Sequence, residues 1–386
     1  MRFGAGRVHA EARICVTLLL GAVLITLVAD GDVALSQTGT GVTQPPPFTA
    51  IDLTPSGFAI AQALGASAGQ QVGFGVVSDA GDLPHALLWH GTAASVVDLN
   101  PSGFIESKGF SISGGQEVGY GYGPETGGAP HALLWRDNAA NVVDLNPSGF
   151  VQSESFAISG GMQVGYGFGP VTKGATHALL WRGSAASVVD LNPPGFVQSQ
   201  AFGISGEEQV GFGVGPATGY QLHALLWHGT ADSAVDLHSE GLPFTHTQAF
   251  STSSGEQVGF GVNTGRDYPH ALLWRGGAAS VMLLHPYGFD QSQAVDVCGG
   301  QQVGYGDTRQ PSVVHALLWS GTAQSVVDLN AFLPSGFQDA QALAFDATGD
   351  IVGVAEGPAS GGSPHAFLWK RNIPMPGTPG QEAMGC

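Results

Sequence analysis

The pentapeptide His-Ala-Leu-Leu-Trp occurs six times in this chain of 386 residues, and a seventh copy reads His-Ala-Phe-Leu-Trp. The copies begin at His85, His131, His177, His223, His270, His315 and His365, so that successive spacings are 46, 46, 46, 47, 45 and 50 residues. A regular period of this length is typical of arrays in which each repeat is one supersecondary unit. The motif therefore predicts a repeat fold and counts its units.

The second unit contains four short segments that resemble strands, separated by turn residues. We predict these strands at residues 109–113, 116–120, 131–135 and 141–145, with Gly-Gly, a Gly- and Pro-rich loop and Asn-Pro-Ser-Gly among the connections. The third strand is apolar almost throughout, which is typical of a strand buried on both faces. Such a unit predicts a propeller blade. A parallel β-helix, the alternative, needs a period roughly half as long and no tight hairpins.

The two ends of the repeat region are offset by one strand. Val-Asp-Leu or a variant follows each of the first six motifs, whereas none follows the motif at His365. The missing segment, Ile51-Asp52-Leu53, precedes the first unit instead. A closed ring has no free sheet edge, and this offset would close one. We therefore predict an all-β fold, a seven-bladed β-propeller over residues 48–370 whose N-terminal strand completes the C-terminal blade.

The first 36 residues have the pattern of a secretory signal peptide. Arg2, Arg7 and Arg13 precede an apolar run over residues 14–28, and Ala-Leu-Ser at 34–36 offers a cleavage site. The run is too short for a comfortable membrane span, although an uncleaved anchor is the alternative. We expect residues 1–36 to be a signal peptide, 37–47 a linker and 371–386 a Pro/Gly-rich tail. The expected location is secreted, extracellular or periplasmic, without membrane insertion after cleavage.

The net charge limits the classes of partner that the protein can bind, and the cysteine count limits its possible disulfides. Removing residues 1–36 takes away three arginines and three acids, so the net charge stays at −18 and nine basic residues remain. So few cations cannot support binding through phosphates, and we expect no nucleic-acid partner. We also expect a monomer. Cys298 and Cys386 remain after cleavage, and the sequence leaves open whether they pair.

The repeat resembles a known family. Ile-Ser-Gly-Gly, Gln-Val-Gly-Tyr, His-Ala-Leu-Leu-Trp and Val-Asp-Leu follow one another as in the bacterial HAF extracellular repeat family, whose His-Ala-Phe signature stands at residues 365–367. The resemblance covers roughly residues 48–370 and implies secretion and a propeller-like fold. It carries over no catalytic residue, because the family is defined by its repeat. The Gly-Gly pair and the later Trp also resemble Kelch propellers, more loosely.

We interpret most of the repeated residues as structural. Each motif His is expected to bond a backbone carbonyl or the Asp of the adjacent strand, rather than a metal. We expect the seven motif tryptophans to form the core between blades. We expect the Asp of Val-Asp-Leu to be a hydrogen-bond acceptor rather than a calcium ligand. The Phe after each turn is a plug between blades. The Gly-x-Gly-x-Gly segments lack the helix that a phosphate loop requires, and indicate close packing.

One irregular stretch leaves two interpretations open. Units four and five carry His238, Glu240, His246 and His285, and Leu283 replaces the Asp of unit five. These residues form either a metal site in neighbouring connections or ordinary drift of the repeat. We assign no catalytic, cofactor-binding or metal-binding residue and no cofactor.

The connections between blades and the loops between second and third strands should share one face. A ligand is expected at this face and at the mouth of the channel. We predict a secreted, non-catalytic repeat scaffold that binds an unknown extracellular protein or glycan. The alternative is a secreted polysaccharide hydrolase or lyase, which would need an acid–base pair that breaks the repeat symmetry. No unit shows a convincing pair in the sequence.

Overall fold

The computed structural model describes residues 47–77, 83–239, 244–263, 268–309 and 311–372. These residues form seven four-stranded antiparallel sheets. In six sheets the strands are consecutive in the chain, and in the seventh the N-terminal strand pairs with the last strand. The predicted all-β, seven-bladed propeller is confirmed. Within the described residues, no helix has the length and apolar character needed to cross a bilayer.

The strand bounds repeat from blade to blade. The first strands are Phe58–Ser67, Glu106–Ser113, Gln152–Ser159, Gln198–Ser205, Phe244–Ser253, Gln291–Cys298 and Asp339–Phe345. The second strands are Gln70–Val77, Gln116–Tyr122, Met162–Phe168, Glu208–Val214, Glu256–Asn263, Gln301–Arg309 and Ile351–Glu356. The third strands are His85–Trp89, His131–Trp135, Thr176–Trp181, His223–Trp227, Pro269–Trp274, Ser312–Trp319 and His365–Arg371. The fourth strands are Val97–Asp98, Val143–Asp144, Val189–Asp190, Val235–Asp236, Met282–Leu283, Val327–Asp328 and, for blade 7, Phe48–Asp52.

Short 3-10 helices fill the connections of the described chain. Five stand between the third and fourth strands: Ala93–Ser95, Ala185–Ser187, Ala231–Ser233, Ala278–Ser280 and Ala323–Ser325. Four stand between second and third strands, at Pro124–Thr126, Pro170–Thr172, Pro216–Thr218 and Pro358–Ser360, and Leu329–Phe332 follows the fourth strand of blade 6. Between first and second strands the turns are tight, and in blade 2 Gly114 and Gly115 both have positive φ, as a type I′ hairpin turn requires.

The ring is closed by the strand at residues 48–52. It pairs in antiparallel register with the last strand, from Phe48 opposite Arg371 to Asp52 opposite Phe367. Leu53, which follows it, is fully buried and donates its backbone N–H to the Ala366 carbonyl at 2.8 Å. The N-terminal strand therefore completes blade 7, as the offset of the repeats predicts.

The motif tryptophans form the core between blades. Each of the seven side chains is fully buried. Trp135 of blade 2, for example, packs with Val72, Leu88 and Leu99 of blade 1. Because every blade repeats this contact with the preceding blade, the predicted role of the motif as inter-blade core is confirmed.

Glycines of the second strand allow a bulge in the first strand. In blade 3 the pairing shifts between Ser155 and Ala157, so Phe156 has no partner in the ladder. A Cβ on Gly165 would lie 1.9 Å from the Glu154 carbonyl oxygen, and therefore only glycine fits opposite the bulge. The same shift occurs in every first strand. The Gly-x-Gly pattern is thus a packing device that turns one residue per blade out of the ladder.

Of the two cysteines after residue 36, the structure describes Cys298. Cys298 is buried at the end of the first strand of blade 6 and forms a disulfide bond. Cys386, whose pairing with Cys298 the sequence leaves open, lies outside the described residues.

Candidate binding site around the propeller axis

The motif histidines bond the aspartates of the fourth strands. The Nδ1 atom of His131 lies 2.7 Å from Oδ2 of Asp144, and equivalent pairs at 2.7–2.9 Å occur in six blades. In blade 7 the pair joins His365 to Asp52 and so spans the closure. The second carboxylate oxygen accepts a backbone N–H two residues later, as Asp144 does from Asn146 at 2.7 Å. Both ends of each carboxylate are therefore used to hold the blade edge.

Blade 5 departs from this pattern. Leu283 occupies the place of the aspartate, and the His270 ring stacks on the His285 ring with centroids 3.9 Å apart. Burial, and then the neighbouring His270, lower the pKa of His285 to about 4. A neutral His285 suits its position, because Nδ1 bonds Ser292 Oγ at 2.8 Å and Nε2 bonds the Phe289 carbonyl at 3.1 Å.

The irregular histidines replace the asparagine of other blades. In the connection from blade 1 to blade 2, the Asn100 side chain accepts from Ser107 and donates to the Phe104 carbonyl. His285 makes the equivalent two bonds in the connection from blade 5 to blade 6, and His238 bonds Thr247 Oγ1 at 3.1 Å.

His246 bonds its neighbour Thr245, whereas Glu240 lies outside the described residues. No group of three or more His, Cys, Asp or Glu able to hold a metal occurs in the described parts of the chain. The contacts of His238 and His285 favour the interpretation as repeat drift with a structural role.

The seven first strands stand side by side around the axis, each next to the first strands of both neighbouring blades. Their bulged residues form a ring that we call the apolar ring: Leu64, Phe110, Phe156, Phe202, Phe250, Val295 and Leu343. The four phenylalanine rings follow one another at centroid distances of 5.5, 5.4 and 5.7 Å. Aromatic contacts at this spacing are favourable beyond their buried area, so blades 2–5 share a rigid aromatic belt.

Two positions before each bulge stands a polar residue, and these seven residues form what we call the polar collar. It consists of Gln62, Lys108, Glu154, Gln200, Gln248, Gln293 and Gln341. Five members are glutamines, and none of these five side chains has a hydrogen-bond partner within the described residues. Glu154, Gln200 and Gln248 are more than nine-tenths buried, whereas the other four are partly exposed. Among the five amides, the Oε1 atom of Gln200 is closed to solvent and without a partner, which is uncommon because such a group is costly to bury.

The charged collar residues concentrate in blades 2 and 3. The Lys108 ammonium lies 4.8 Å from the centroid of the Phe74 ring. The Tyr120 hydroxyl donates to Glu106 at 2.7 Å, and the Tyr166 hydroxyl donates to Glu154 Oε1 at 2.7 Å.

Burial raises the pKa of Glu154 to about 7, against the opposing effects of the Tyr166 hydroxyl and the Lys108 charge. Its Oε2 atom is buried without a partner, as is Oε1 of Gln200 in the next blade. Burial and the bond to Glu106 likewise raise the pKa of Tyr120.

Carboxylates collect on the opposite side of the ring, in blades 6 and 7. Burial raises the pKa of Asp307, and burial together with the nearby Asp339 raises the pKa of Glu356. Asp307 accepts from Gln291 at 3.0 Å, and Asp339 accepts the backbone N–H of Val314 at 2.8 Å. Asp307 is therefore held within blade 6, whereas Asp339 links blade 7 to the third strand of blade 6.

The inter-blade connections and the second-strand ends lie on one face. In blades 2–4 the first residue after the plug phenylalanine bonds the end of the second strand, as Ile105 N–H does to the Tyr122 carbonyl at 2.9 Å. In these three blades that residue is apolar and about half exposed: Ile105, Val151 and Val197. The equivalents in blades 1, 5, 6 and 7 are Ala59, Thr245, Asp290 and Gln338. We call Ile105, Val151 and Val197 the apolar strip.

Sequence reasoning missed the collar. Glu106, Lys108 and Glu154 look like drift in the sequence, because Glu-Ser-Lys and Gln-Ser-Glu differ little from the Gln-Ser-Gln of blades 4 and 6. An available signal was the alignment of the seven units, in which a Lys and a Glu replace glutamine at one position in consecutive blades. The meaning of that position depends on the bulge, which places it beside the axis.

Comparison with known proteins supports the fold alone. No protein family model matches the chain, and no curated protein matches it. The β-propeller domain of the Trilobed protease from Pyrococcus furiosus, described as having an open velcro topology, is 10% identical with a TM-score of 0.55. The match covers 83% of this chain and 99% of that domain.

Two further structures are similar at the same level. Puromycin hydrolase is 11% identical with a TM-score of 0.54, over 82% of this chain, which spans only 56% of the length of that protein. Oligogalacturonate lyase in complex with manganese is 9% identical with a TM-score of 0.51, over 84% of this chain and 97% of that one. At such low identity these similarities establish a β-propeller and carry no activity.

Proposed function

We propose that the protein is a non-catalytic binding scaffold outside the cytoplasm, which holds an extracellular protein or glycan. The signal-peptide pattern of residues 1–36 supports the location, and the resemblance to the HAF repeats agrees with it. The ligand binds at the face of the inter-blade connections and at the mouth of the axial channel. One observation carries this placement: blades 2–4 carry the apolar strip, and two of them, blades 2 and 3, also carry the charged residues of the collar.

The apolar strip has the properties of a contact surface. Ile105, Val151 and Val197 are 50, 51 and 46% exposed, and Val171 in the neighbouring loop of blade 3 is 58% exposed. Clustered apolar side chains on an otherwise acidic surface mark interaction sites more often than isolated ones do. The loop that carries Val171 is held in shape, because Thr172 Oγ1 accepts the Gly169 N–H and donates to the Ala175 carbonyl. A rigid loop loses little entropy on binding.

The test is a binding screen of the full-length product against extracellular glycans and proteins of culture supernatants. We expect a hit that is lost when Ile105, Val151 and Val197 are all replaced by serine. The matched control replaces Val235 and Val327, which are exposed on fourth strands at the blade edges, and it should bind normally. Hits that survive the strip substitutions would place binding elsewhere, and the absence of any hit would count against a binding scaffold.

A polysaccharide hydrolase or lyase is the second candidate, and Glu154 favours it. A carboxyl group with a pKa of about 7 beside a tyrosine hydroxyl at 2.7 Å suits general acid–base chemistry. Its remaining oxygen is closed to solvent, however, which makes the binding scaffold the better supported function. Depolymerisation of a polysaccharide by the purified protein, lost in Glu154→Gln, would establish the enzyme instead.

A further inference from the structure

We propose that the polar collar and the apolar ring together form a binding site for a neutral saccharide. This inference rests on the proposed function and names its ligand class and its place. The proposal stands on three features of the axis: unpaired amides, a belt of aromatic rings and an excess of negative charge.

The amides supply the hydrogen-bonding part of the site. Five glutamines at equivalent positions have no side-chain partner within the described residues, and Gln200 is 8% exposed with its Oε1 atom buried and unpartnered. A primary amide offers two donors and one acceptor oxygen. Sugar hydroxyls both donate and accept, so one ligand can satisfy amide oxygens and amide nitrogens from several blades. A ligand that only donates or only accepts would leave half of each amide unpaired.

The aromatic belt supplies the apolar part. Phe110, Phe156, Phe202 and Phe250 follow the collar by two residues in their strands, and successive rings lie 5.4–5.7 Å apart. Phe202 and Phe250 are buried, whereas Phe110 and Phe156 are only partly buried and can contact a ligand. A pyranose ring has apolar C–H faces beside its hydroxyls, and an aromatic side chain covers such a face while excluding water. A layer of amides next to a layer of aromatic rings therefore matches a saccharide better than it matches a small ion.

Charge argues against anionic ligands. The collar carries Lys108 and Glu154, with Glu106 two residues before Lys108, and the first and second strands of blades 6 and 7 carry Asp296, Asp307, Asp339 and Glu356. Acidic residues therefore outnumber basic residues in the described first and second strands, in a chain of net charge −18. This excess of negative charge repels phosphate and uronate ligands.

The partly exposed collar members define the entrance. Gln62, Gln293 and Gln341 are half-buried, in contrast to Glu154, Gln200 and Gln248. The accessible arc of the collar thus runs through blades 6, 7 and 1, together with Lys108 of blade 2. We expect the saccharide to enter on this side and to bond these glutamines first.

The experiment is saturation-transfer NMR on the full-length product with short neutral glucan, mannan, galactan and xylan oligosaccharides as probes. We expect one neutral class to bind, and Gln293→Ala/Gln341→Ala to weaken it about tenfold or more, since each lost amide contact costs a substantial share of a hydrogen bond. Gln324→Ala, at an exposed glutamine of the 3-10 helix between the third and fourth strands of blade 6, is the matched control and should bind like the wild type. Gln62→Ala provides a second collar variant if the double substitution impairs folding.

Three outcomes would overturn the inference: no binding of any neutral probe, binding that is unchanged in both collar variants, or preference for an oligogalacturonate or peptide probe over every neutral saccharide. The failure would be separable from that of the proposed function. Suppose that a protein or glycan binds through the apolar strip and that the collar variants bind it as well as the wild type does. This result would leave the scaffold function intact and remove only the axial saccharide site.

Discussion

The outer strands of the seven blades are nearly interchangeable, whereas the inner strands are not. Outside, every blade has the same buried Trp, and six have the same His–Asp pair at 2.7–2.9 Å. Inside, the collar carries a lysine in blade 2, a glutamate in blade 3 and glutamines elsewhere. We infer that the outer strands contribute about equally to stability in every blade, and that the residues that differ between blades are concentrated at the axis.

Another inner asymmetry is purely structural. Asp296, next to the bulge of blade 6, accepts from Ser251 Oγ of blade 5 at 2.6 Å and from the Phe345 N–H of blade 7 at 2.8 Å. Burial raises the pKa of this carboxyl group, but three neighbouring blades depend on its bonds. An inner residue that breaks the repeat therefore needs its contacts examined before a function is given to it. Asp296 has partners for both oxygens, unlike Glu154.

The largest expected effect concerns the closure. Deleting residues 48–53 removes the strand paired with residues 367–371, the bond of Asp52 to His365 and the buried Leu53. The deletion leaves the last strand with an unpaired edge and uncouples the two ends of the ring, so the melting temperature should fall more than for any single substitution. Deleting the six residues 375–380 is the control of equal length. Equal melting temperatures for the two deletions would refute closure by the N-terminal strand.

The second prediction tests whether the tryptophan of each blade contributes equally to stability. Trp181→Ala should lower the free energy of unfolding by about 3–5 kcal/mol, because a fully buried indole leaves a cavity between blades. Trp135→Ala and Trp227→Ala should cost about the same in urea titrations. Tyr287→Ala, at a fully exposed ring, should change stability by less than about 0.5 kcal/mol. Widely different costs among the three tryptophans would break the picture of interchangeable outer strands.

The third prediction concerns the collar residue Glu154, whose burial should make the free energy of unfolding depend on pH. Glu154 has a folded-state pKa of about 7, above its value of 4.5 in the absence of the fold. The folded protein therefore loses stability as pH rises between these values, by roughly 3 kcal/mol, since one unit of pKa shift corresponds to about 1.4 kcal/mol. Glu154→Gln should remove this loss, so the variant should be the more stable protein at pH 8 and differ little at pH 4.

Urea unfolding at several pH values measures this effect. Glu106→Gln is the matched control, because Glu106 also accepts a tyrosine hydroxyl but is only half-buried. Its stability should follow the wild type more closely across the same range. A wild-type protein as stable at pH 8 as at pH 5, relative to Glu154→Gln, would show that burial does not hold a proton on Glu154.

A smaller effect arises in the second strands, at a position that is glutamine in blades 1 and 3–6. Gln163 accepts the Gly183 N–H and donates to the Gly161 carbonyl. Glu117, its counterpart in blade 2, accepts the Asp137 N–H at 3.0 Å, but its Oε1 atom is buried without a partner. Burial raises the pKa of Glu117.

Glu117→Gln should therefore stabilise the protein by about 1–2 kcal/mol at neutral pH, because the new amide can donate where the carboxylate cannot. The gain should shrink below the unfolded pKa, where the carboxyl group is protonated in both states. Gln163→Glu is the reciprocal variant and should destabilise by a similar amount. A loss of stability in Glu117→Gln would mean that the repeat position does not require an amide.

The sequence predicts the scaffold well because the scaffold is what repeats. The third strand of blade 2 was predicted at residues 131–135 and lies there, and the pairing of residues 51–53 with the last blade followed from counting copies. The fourth strand of blade 2, predicted over 141–145, spans only Val143–Asp144, because Asn141 belongs to the preceding turn. Such errors concern ends of strands, where turn bonds compete with the ladder.

The axis could not be predicted in the same way. Glu154 and Gln200 stand two residues before a bulge, and the bulge depends on the glycine in the partner strand rather than on local propensity. Burial raises the pKa of Glu154, and the first strands of the two neighbouring blades, which pack beside its strand, are a whole repeat away in the sequence. A periodic sequence therefore predicts the features that all blades share, but not the contacts and burial that arise between one blade and the next.

The smallest expected effect comes from restoring the His–Asp pair that blade 5 lacks. In blade 4 the His223 ring stacks on His238 at 4.0 Å and also bonds Asp236 at 2.7 Å, so a stack and a His–Asp pair are compatible. Blade 5 has the stack of His270 and His285 but Leu283, half exposed, in place of the aspartate. Leu283→Asp should recreate the arrangement of blade 4.

The new carboxylate in Leu283→Asp would accept from the His270 imidazole and from the backbone N–H of His285, as Asp236 accepts from the N–H of His238 at 2.8 Å. Two such bonds on a partly exposed edge should stabilise the protein by about 1 kcal/mol, and removal of an exposed leucine costs little. Urea titration at pH 7 measures the gain, and Asp236→Leu in blade 4 should lose a similar amount. A neutral or destabilising Leu283→Asp, with Asp236→Leu costly, would mean that blade 5 has adapted to its leucine, so that even the outer strands are interchangeable only in part.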